Sequence, residues 1–345
     1  MVLRDTGSLH ALLTTQTLPE SNMTVTRRKL IIGGAALGMS ALLPQKSSAS
    51  QDQAGASPVA GFPRTLAHFL GETTIPSPPA RVVSVSDFVD LDYPLALGVK
   101  PVLYGFTNAW NGGTMPWQTD AIDLPMVDKP GEPDLEAIAA AKPDLIFGME
   151  TIEPAYEHLS AIAPTIAFRR GAPWRDGLRL AASALGLESL AEERIAETDS
   201  LLAATKETLA PIAGKQLMVG VTNLGIFYVW GDQTSAASVF KDLGLNFVGG
   251  TEPSLTPLSL EQVNVLESAD IILSVNADPI GIETQEASPL FQSLPAVQNG
   301  GYDVLSVVQG RALGDGPSPL SLPWILPQFV EVMQRLARGE GKQLS

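Results

Sequence analysis

Two glutamates, 125 residues apart, stand in matched surroundings: Asp134-Leu135-Glu136-Ala137-Ile138 and Ser259-Leu260-Glu261-Gln262-Val263. In each, a helix N-cap residue precedes a Leu-Glu pair, so the carboxylate falls in the first helical turn. Each helix then stops at an aspartate before a short apolar strand, Asp144 before Leu145-Ile146-Phe147 and Asp270 before Ile271-Ile272-Leu273. One such carboxylate need only complement a helix dipole, worth about 0.3–1 kcal/mol. Repeated on two bodies, the pair offers two matched points for a partner to grip. A duplicated helix–strand unit also implies two similar lobes with a cleft between them.

Residues for covalent chemistry are sparse. The histidines are His10, His68 and His158, scattered and without a nearby carboxylate cluster, which makes a poor metal site or triad. Gly-x-Ser-x-Gly, P-loop and strand-linked Gly-x-Gly-x-x-Gly motifs are absent. With no cysteine, disulfides, thiolate metal sites and a lipid-modified N-terminal cysteine are excluded. An exported two-domain α/β enzyme working in the cleft is the competing reading, but the sequence predicts no enzyme and no cofactor.

The elements that hold these residues alternate between strand and helix, which predicts α/β lobes, each with a mainly parallel sheet flanked by helices. Arg81–Val85 reads as a buried parallel strand, followed by a helix over Asp90–Leu97 that Gly98 ends. Pro101–Phe106 is the next strand, and residues 107–133 form a long loop. Strands at Leu145–Phe147 and Thr165–Phe168 flank a helix over Tyr156–Ile162. Ile195, Thr198, Leu202, Thr205 and Leu209 then recur at helical spacing, marking a long connecting helix. The second lobe opens with a strand at Gln216–Val221, and a helix then ends at Gly244. A strand near Asn246–Val248, the second Leu-Glu helix, a strand over Tyr302–Val308 and a closing helix over Pro327–Arg338 complete it.

The N-terminus reads as an address. Arg27-Arg28 precede a mild apolar run, Leu30 to Leu43, too short at 14 residues to span a membrane. The run ends in Ser47-Ser48-Ala49-Ser50, which together predicts a twin-arginine export signal. The expected boundaries are signal 1–50, flexible spacer 51–63, N-terminal lobe 64–188, connecting helix 189–212 and C-terminal lobe 213–345. Beyond residue 50 the chain holds 17 basic and 35 acidic residues, a formal charge of −18 that repels nucleic acid and anionic lipid. A soluble, monomeric periplasmic protein is expected.

Five segments, in order, resemble the periplasmic substrate-binding proteins of ABC importers for ferric siderophores and cobalamin. They are Arg81-Val82-Val83-Ser84 with Leu95–Gly98, Pro133–Glu136, Lys142–Ile146, Leu258–Asp270 and Leu294-Pro295-Ala296-Val297-Gln298-Asn299-Gly300. The resemblance covers about residues 64–340. It implies two α/β lobes joined by one long helix, with the ligand between them. It also implies that Glu136 and Glu261 dock onto an inner-membrane permease that works with its ATPase. The ligand it implies is a ferric siderophore of hydroxamate type, iron arriving only inside its chelator, with cobalamin as the alternative.

Open α/β sheets bind ligands beyond the carboxyl ends of their strands. On that rule the candidates are Asp87, Phe88, Trp110, Trp117, Arg169 and Arg170 in the first lobe, and Tyr228, Trp230, Asn276 and Arg311 in the second. Aromatic faces and cationic donors are what a large chelate with iron-bound oxygens requires. The resemblance adds Lys129, standing where hydroxamate-binding members carry a ligand-contacting arginine. It also lacks the family's tryptophan before the second Leu-Glu helix.

Overall fold

A computed structural model describes residues 61–106, 114–128, 132–223, 226–252 and 254–344, excluding the side chains of 260, 261, 263 and 315. An antiparallel hairpin comes first, β1 (Arg64–His68) and β2 (Gly71–Ile75). The N-terminal lobe continues with β3 (Val82–Ser84), α1 (Val89–Ala96), β4 (Leu103–Phe106), β5 (Met126–Asp128) and α2 (Leu135–Ala140). It ends with β6 (Leu145–Met149), α3 (Tyr156–Ile162), β7 (Thr165–Phe168) and α4 (Trp174–Leu185). Its sheet is parallel throughout, in the order β5-β4-β3-β6-β7. The fully buried runs Val82–Ser84, Leu145–Met149 and Thr165–Phe168 suit strands covered on both faces. Successive strands are added to one side of β3 as far as β5 and to its other side from β6, which places a crevice beyond the carboxyl ends of β3 and β6.

The joining helix is α5 (Glu188–Leu209), about 33 Å at 1.5 Å per residue. It starts after Gly186, whose left-handed backbone (φ 75°) ends α4. Ala191, Ile195, Thr198, Leu202, Thr205 and Leu209 form its buried stripe. The two threonine hydroxyls in the stripe donate to carbonyls one turn back, at 2.8 Å, so their burial leaves no unmet donor. Side chains from both lobes, Phe147 and Leu178 on one side and Val219, Phe240 and Phe329 on the other, belong with the stripe to one continuous core.

The C-terminal lobe holds β8 (Gln216–Asn223), β9 (Ile226–Trp230), α6 (Ser235–Asp242), β10 (Asn246–Phe247), β11 (Leu255–Leu258) and β12 (Ile271–Asn276). Then come α7 (Pro279–Ala287), α8 (Pro289–Gln292), α9 (Pro295–Gln298), β13 (Tyr302–Ser306), α10 (Val307–Gly310) and α11 (Ser321–Ala337). Its sheet runs β11-β9-β8-β12-β13, with β10 also on β8. The pairs of β8 with β9 and of β9 with β11 are antiparallel, and the others are parallel.

The duplicated aspartates do the same work in each lobe. Asp144 accepts from the Ala80 and Arg81 N–H groups at 2.9 and 2.8 Å, and Asp270 accepts from the Gln216 N–H at 2.8 Å. Each carboxylate thus pins the start of the neighbouring central strand, β3 or β8.

Several expectations are corrected. The spacer expected over 51–63 stops short of Phe62, which packs into the core with the Arg64 guanidinium 4.1 Å from its ring. Residues 119–128 of the expected long loop form a 3₁₀ turn and the edge strand β5. The second Leu-Glu helix is 3₁₀ over Leu260–Ser268, where Val263-Asn264-Val265 has low helix propensity beside the alanines of α2. The closing helix begins at Ser321 and carries Pro327 inside it, so that proline marks no start.

Candidate functional site

The first lobe's site begins where β3 ends. Ser84 Oγ donates to the Asp90 carbonyl at 2.7 Å, and the Asp90 carboxylate accepts from Ser86 N–H and Oγ at 2.8 and 2.5 Å. This closed turn presents Asp87 and Phe88 at the head of α1. Asp92 accepts from Gln118 Nε2 at 2.7 Å, Trp117 Nε1 at 3.0 Å and, from the second lobe, Ser318 Oγ at 2.7 Å.

Burial pushes the Asp90 carboxyl up to about 7, against the pull of its Ser86 bonds. Burial likewise raises Asp92 to about 6, with its three donors and Arg311 pulling the other way. Both folded values lie above the ordinary 3.8, so this contribution to stability is complete below that value and is lost as pH rises through 6 to 7. The thermal midpoint is therefore expected to fall between pH 5 and pH 8, with a smaller fall in Asp90→Asn. Equal slopes in both proteins, read by circular dichroism melts, would refute this.

The segment beyond β13 and α10 supplies the other half. Arg311 Nη1 donates to Asp87 Oδ2 and Nη2 to the Asp87 carbonyl, each at 3.1 Å. The two side chains are 3% and 0% exposed. The Arg311 guanidinium lies 4.2 Å from the Phe88 ring centroid, and that of Arg170 lies 5.5 Å from it. Arg170 in turn donates from Nε to Glu150 Oε1 at 3.2 Å, beyond the carboxyl ends of β7 and β6. Gly171, with φ +81°, follows: a Cβ there would sit 2.6 Å from the Gln233 carbonyl of the second lobe. The arrangement is an aromatic face flanked by guanidinium groups of both lobes, each group beside a carboxylate. It can pack an apolar or aromatic ligand and donate to oxygens, and its local charge is nearly balanced.

Asp87, Phe88, Arg170 and Arg311 are thus brought together, and Glu150, which also follows a strand's carboxyl end, joins them through Arg170. Arg169 is exposed, 5.7 Å from the Phe69 ring. Trp117 is half-buried, bonded to Asp92, with its ring 5.3 Å from that of Trp324. Tyr228 is half-buried on β9, whereas Trp230 belongs to the core, its ring packed on Gly314. Asn276 ends β12 with its Oδ1 buried and unpartnered. Glu136 is exposed on α2. Trp110 and Lys129 lie outside the described residues, as does the Glu261 side chain. Sequence reading passed over Asp90, Asp92, Gln118 and Ser318. Three aspartates within six residues of an otherwise apolar stretch were the available signal, since buried carboxylates demand partners.

Residues 82–301 match a family model described as periplasmic binding protein. An Fe(3+)-citrate-binding protein of Bacillus subtilis is 28% identical over 278 residues, covering 79% of this chain and 88% of its own. A ferric enterobactin-binding periplasmic protein of Escherichia coli is 26% identical, over 70% of this chain and 83% of its own. Among solved structures, the iron uptake ABC transporter substrate-binding protein PiaA of Streptococcus pneumoniae superposes with a TM-score of 0.68. It is 24% identical and covers 80% of this chain and 100% of its own.

Proposed function

Because the chain belongs to the periplasmic binding protein family, a family of binding proteins and not of enzymes, we propose that it captures a ferric siderophore between its lobes and hands it to an ABC permease. The observation that carries this reading is the Phe88 ring, flanked by Arg311 and Arg170 where strand ends of the two lobes converge. The relatives that bind ferric citrate and ferric enterobactin support the iron-chelate class. Charge narrows the class. Three hydroxamates around Fe(3+) give a neutral complex, whereas three catecholates give a trianion. With Arg311 on Asp87 and Arg170 on Glu150, the floor offers little net positive charge, which favours the hydroxamate type.

The remaining parts of the reading follow from it. Residues 1–50 export the chain through the twin-arginine machinery, and it works as a monomer in the periplasm. The lobes are bounded at 62–188 and 213–345, with 189–212 joining them. Asp87, Phe88, Trp117, Arg169, Arg170, Tyr228, Asn276 and Arg311 border the ligand, with Trp110 and Lys129 from the segments between β4 and α2. Glu136 and Glu261 address the permease, and no covalent chemistry is done on the ligand.

Titration of tryptophan fluorescence with hydroxamate, catecholate and carboxylate ferric chelates, and with cobalamin, tests the reading. Saturable quenching by an intact hydroxamate chelate is expected, since Trp117 lies beside the site. Saturation by cobalamin alone, or by no member of the panel, would overturn it.

A further inference from the structure

We propose that Asp87 and Asp92, with Arg311 and Ser318 opposite, form a polar latch that holds the two lobes at a fixed separation and so sets the width of the cleft. Its consequence for ligand binding rests on the siderophore reading; the latch itself does not.

The four residues are all buried, at 4% exposure or less, and the bonded pairs are 224 and 226 positions apart in sequence. Both halves are braced within their own lobes. On the first side, Gln118 Nε2 donates to the Asp87 carbonyl at 3.0 Å and to Asp92 Oδ1 at 2.7 Å. On the second, Ser318 N–H donates to Ser321 Oγ at 2.9 Å, and Ser321 Oγ donates to the Ala312 carbonyl at 3.2 Å. The segment is seated without slack: a Cβ on Gly316 would lie 2.3 Å from Val89 Cγ1 of α1.

A second tie lies at the joining helix. Arg175 on α4 donates to Asp199 on α5 and, from Nη1, to Asp242 on α6 at 2.9 Å. One attachment along α5 leaves the lobes free to rock about it. A directional, buried attachment elsewhere removes that freedom, because hydrogen bonds weaken steeply with angle and apolar contacts do not. A cleft already at its working width spares the ligand the cost of ordering it. Arg311 is accordingly a positioning residue as well, holding the Phe88 ring that the ligand meets.

The cysteine-free chain permits a direct test. Glu157→Cys on α3 and Glu283→Cys on α7 place one spin label on each lobe, both at exposed positions. Double electron–electron resonance without ligand is expected to give a narrow distance distribution in the otherwise unaltered chain. Asp87→Asn and Ser318→Ala are each expected to broaden it about two-fold and to speed dissociation of the ferric chelate about ten-fold. Ser318→Ala removes a hydroxyl and no charge, so it keeps the test available if Asp87→Asn does not fold. Ser318→Thr, which retains the hydroxyl, is expected to restore the narrow distribution. A distribution unchanged in Ser318→Ala, or equally broad in Ser318→Thr, would overturn the latch. Broadening in a chain that binds no ferric chelate would uphold the latch and sink the siderophore reading instead.

Discussion

Arg311→Met is expected to lower the free energy of unfolding by about 3–5 kcal/mol, because it strands the Asp87 carboxylate in the interior without its counter-charge. The guanidinium it removes is 3% exposed, donates twice to Asp87 and covers the Phe88 ring. The same substitution at the surface pair Arg194–Glu197, at 38% and 57% exposure, belongs to the class worth about 0.2–1 kcal/mol. Pairing Arg311→Met with Asp87→Leu is expected to recover most of the loss, since then no charge is buried alone. Urea unfolding of the two single variants and the double provides the check. A loss near that of Arg194→Met would contradict the burial on which the contact between the lobes depends.

The second large effect concerns delivery. Glu136→Ala together with Glu261→Ala is expected to bring uptake of the ferric chelate to background while leaving its affinity unchanged. Each single substitution is expected to reduce uptake about ten-fold, as loss of one of two linked contacts does. On α2 the capping is done by Asp134, whose Oδ1 accepts from the Ala137 N–H at 3.0 Å, so the helix has no need of Glu136. That leaves this exposed carboxylate only the helix dipole to complement, worth about 0.3–1 kcal/mol. Transport of labelled chelate into cells, beside a fluorescence titration of the purified variant, separates the two properties. Undiminished uptake in the double variant would remove Glu136 and Glu261 from the docking role.

Much of this architecture was legible because it is written in local patterns. The α5 stripe was readable from its spacing, and the buried strands β3, β6, β7 and β12 from short β-branched and apolar runs bounded by turns. The antiparallel additions were not. Leu255–Leu258 contains a proline and no alternation, and becomes a strand only because β9 offers it an edge. The site was half legible for the same reason. Strand-end position singled out Asp87, Phe88, Arg170 and Arg311 without showing that Asp87 and Arg311 face one another across 224 residues. Ser318 carried no signal at all, because a serine in a Pro-rich segment acquires meaning only from the carboxylate it meets. Trp230 misled, since an aromatic near a strand end suits a core as well as a ligand.

The stripe on α5 has a last consequence. Two halves made to a common plan might be thought separable, each melting by itself with the helix left as a tether. Here the same row of side chains completes the interior of both, so neither half has a finished core in the other's absence. Heat or denaturant meets one cooperative body, and a partner that pries at one half strains the whole.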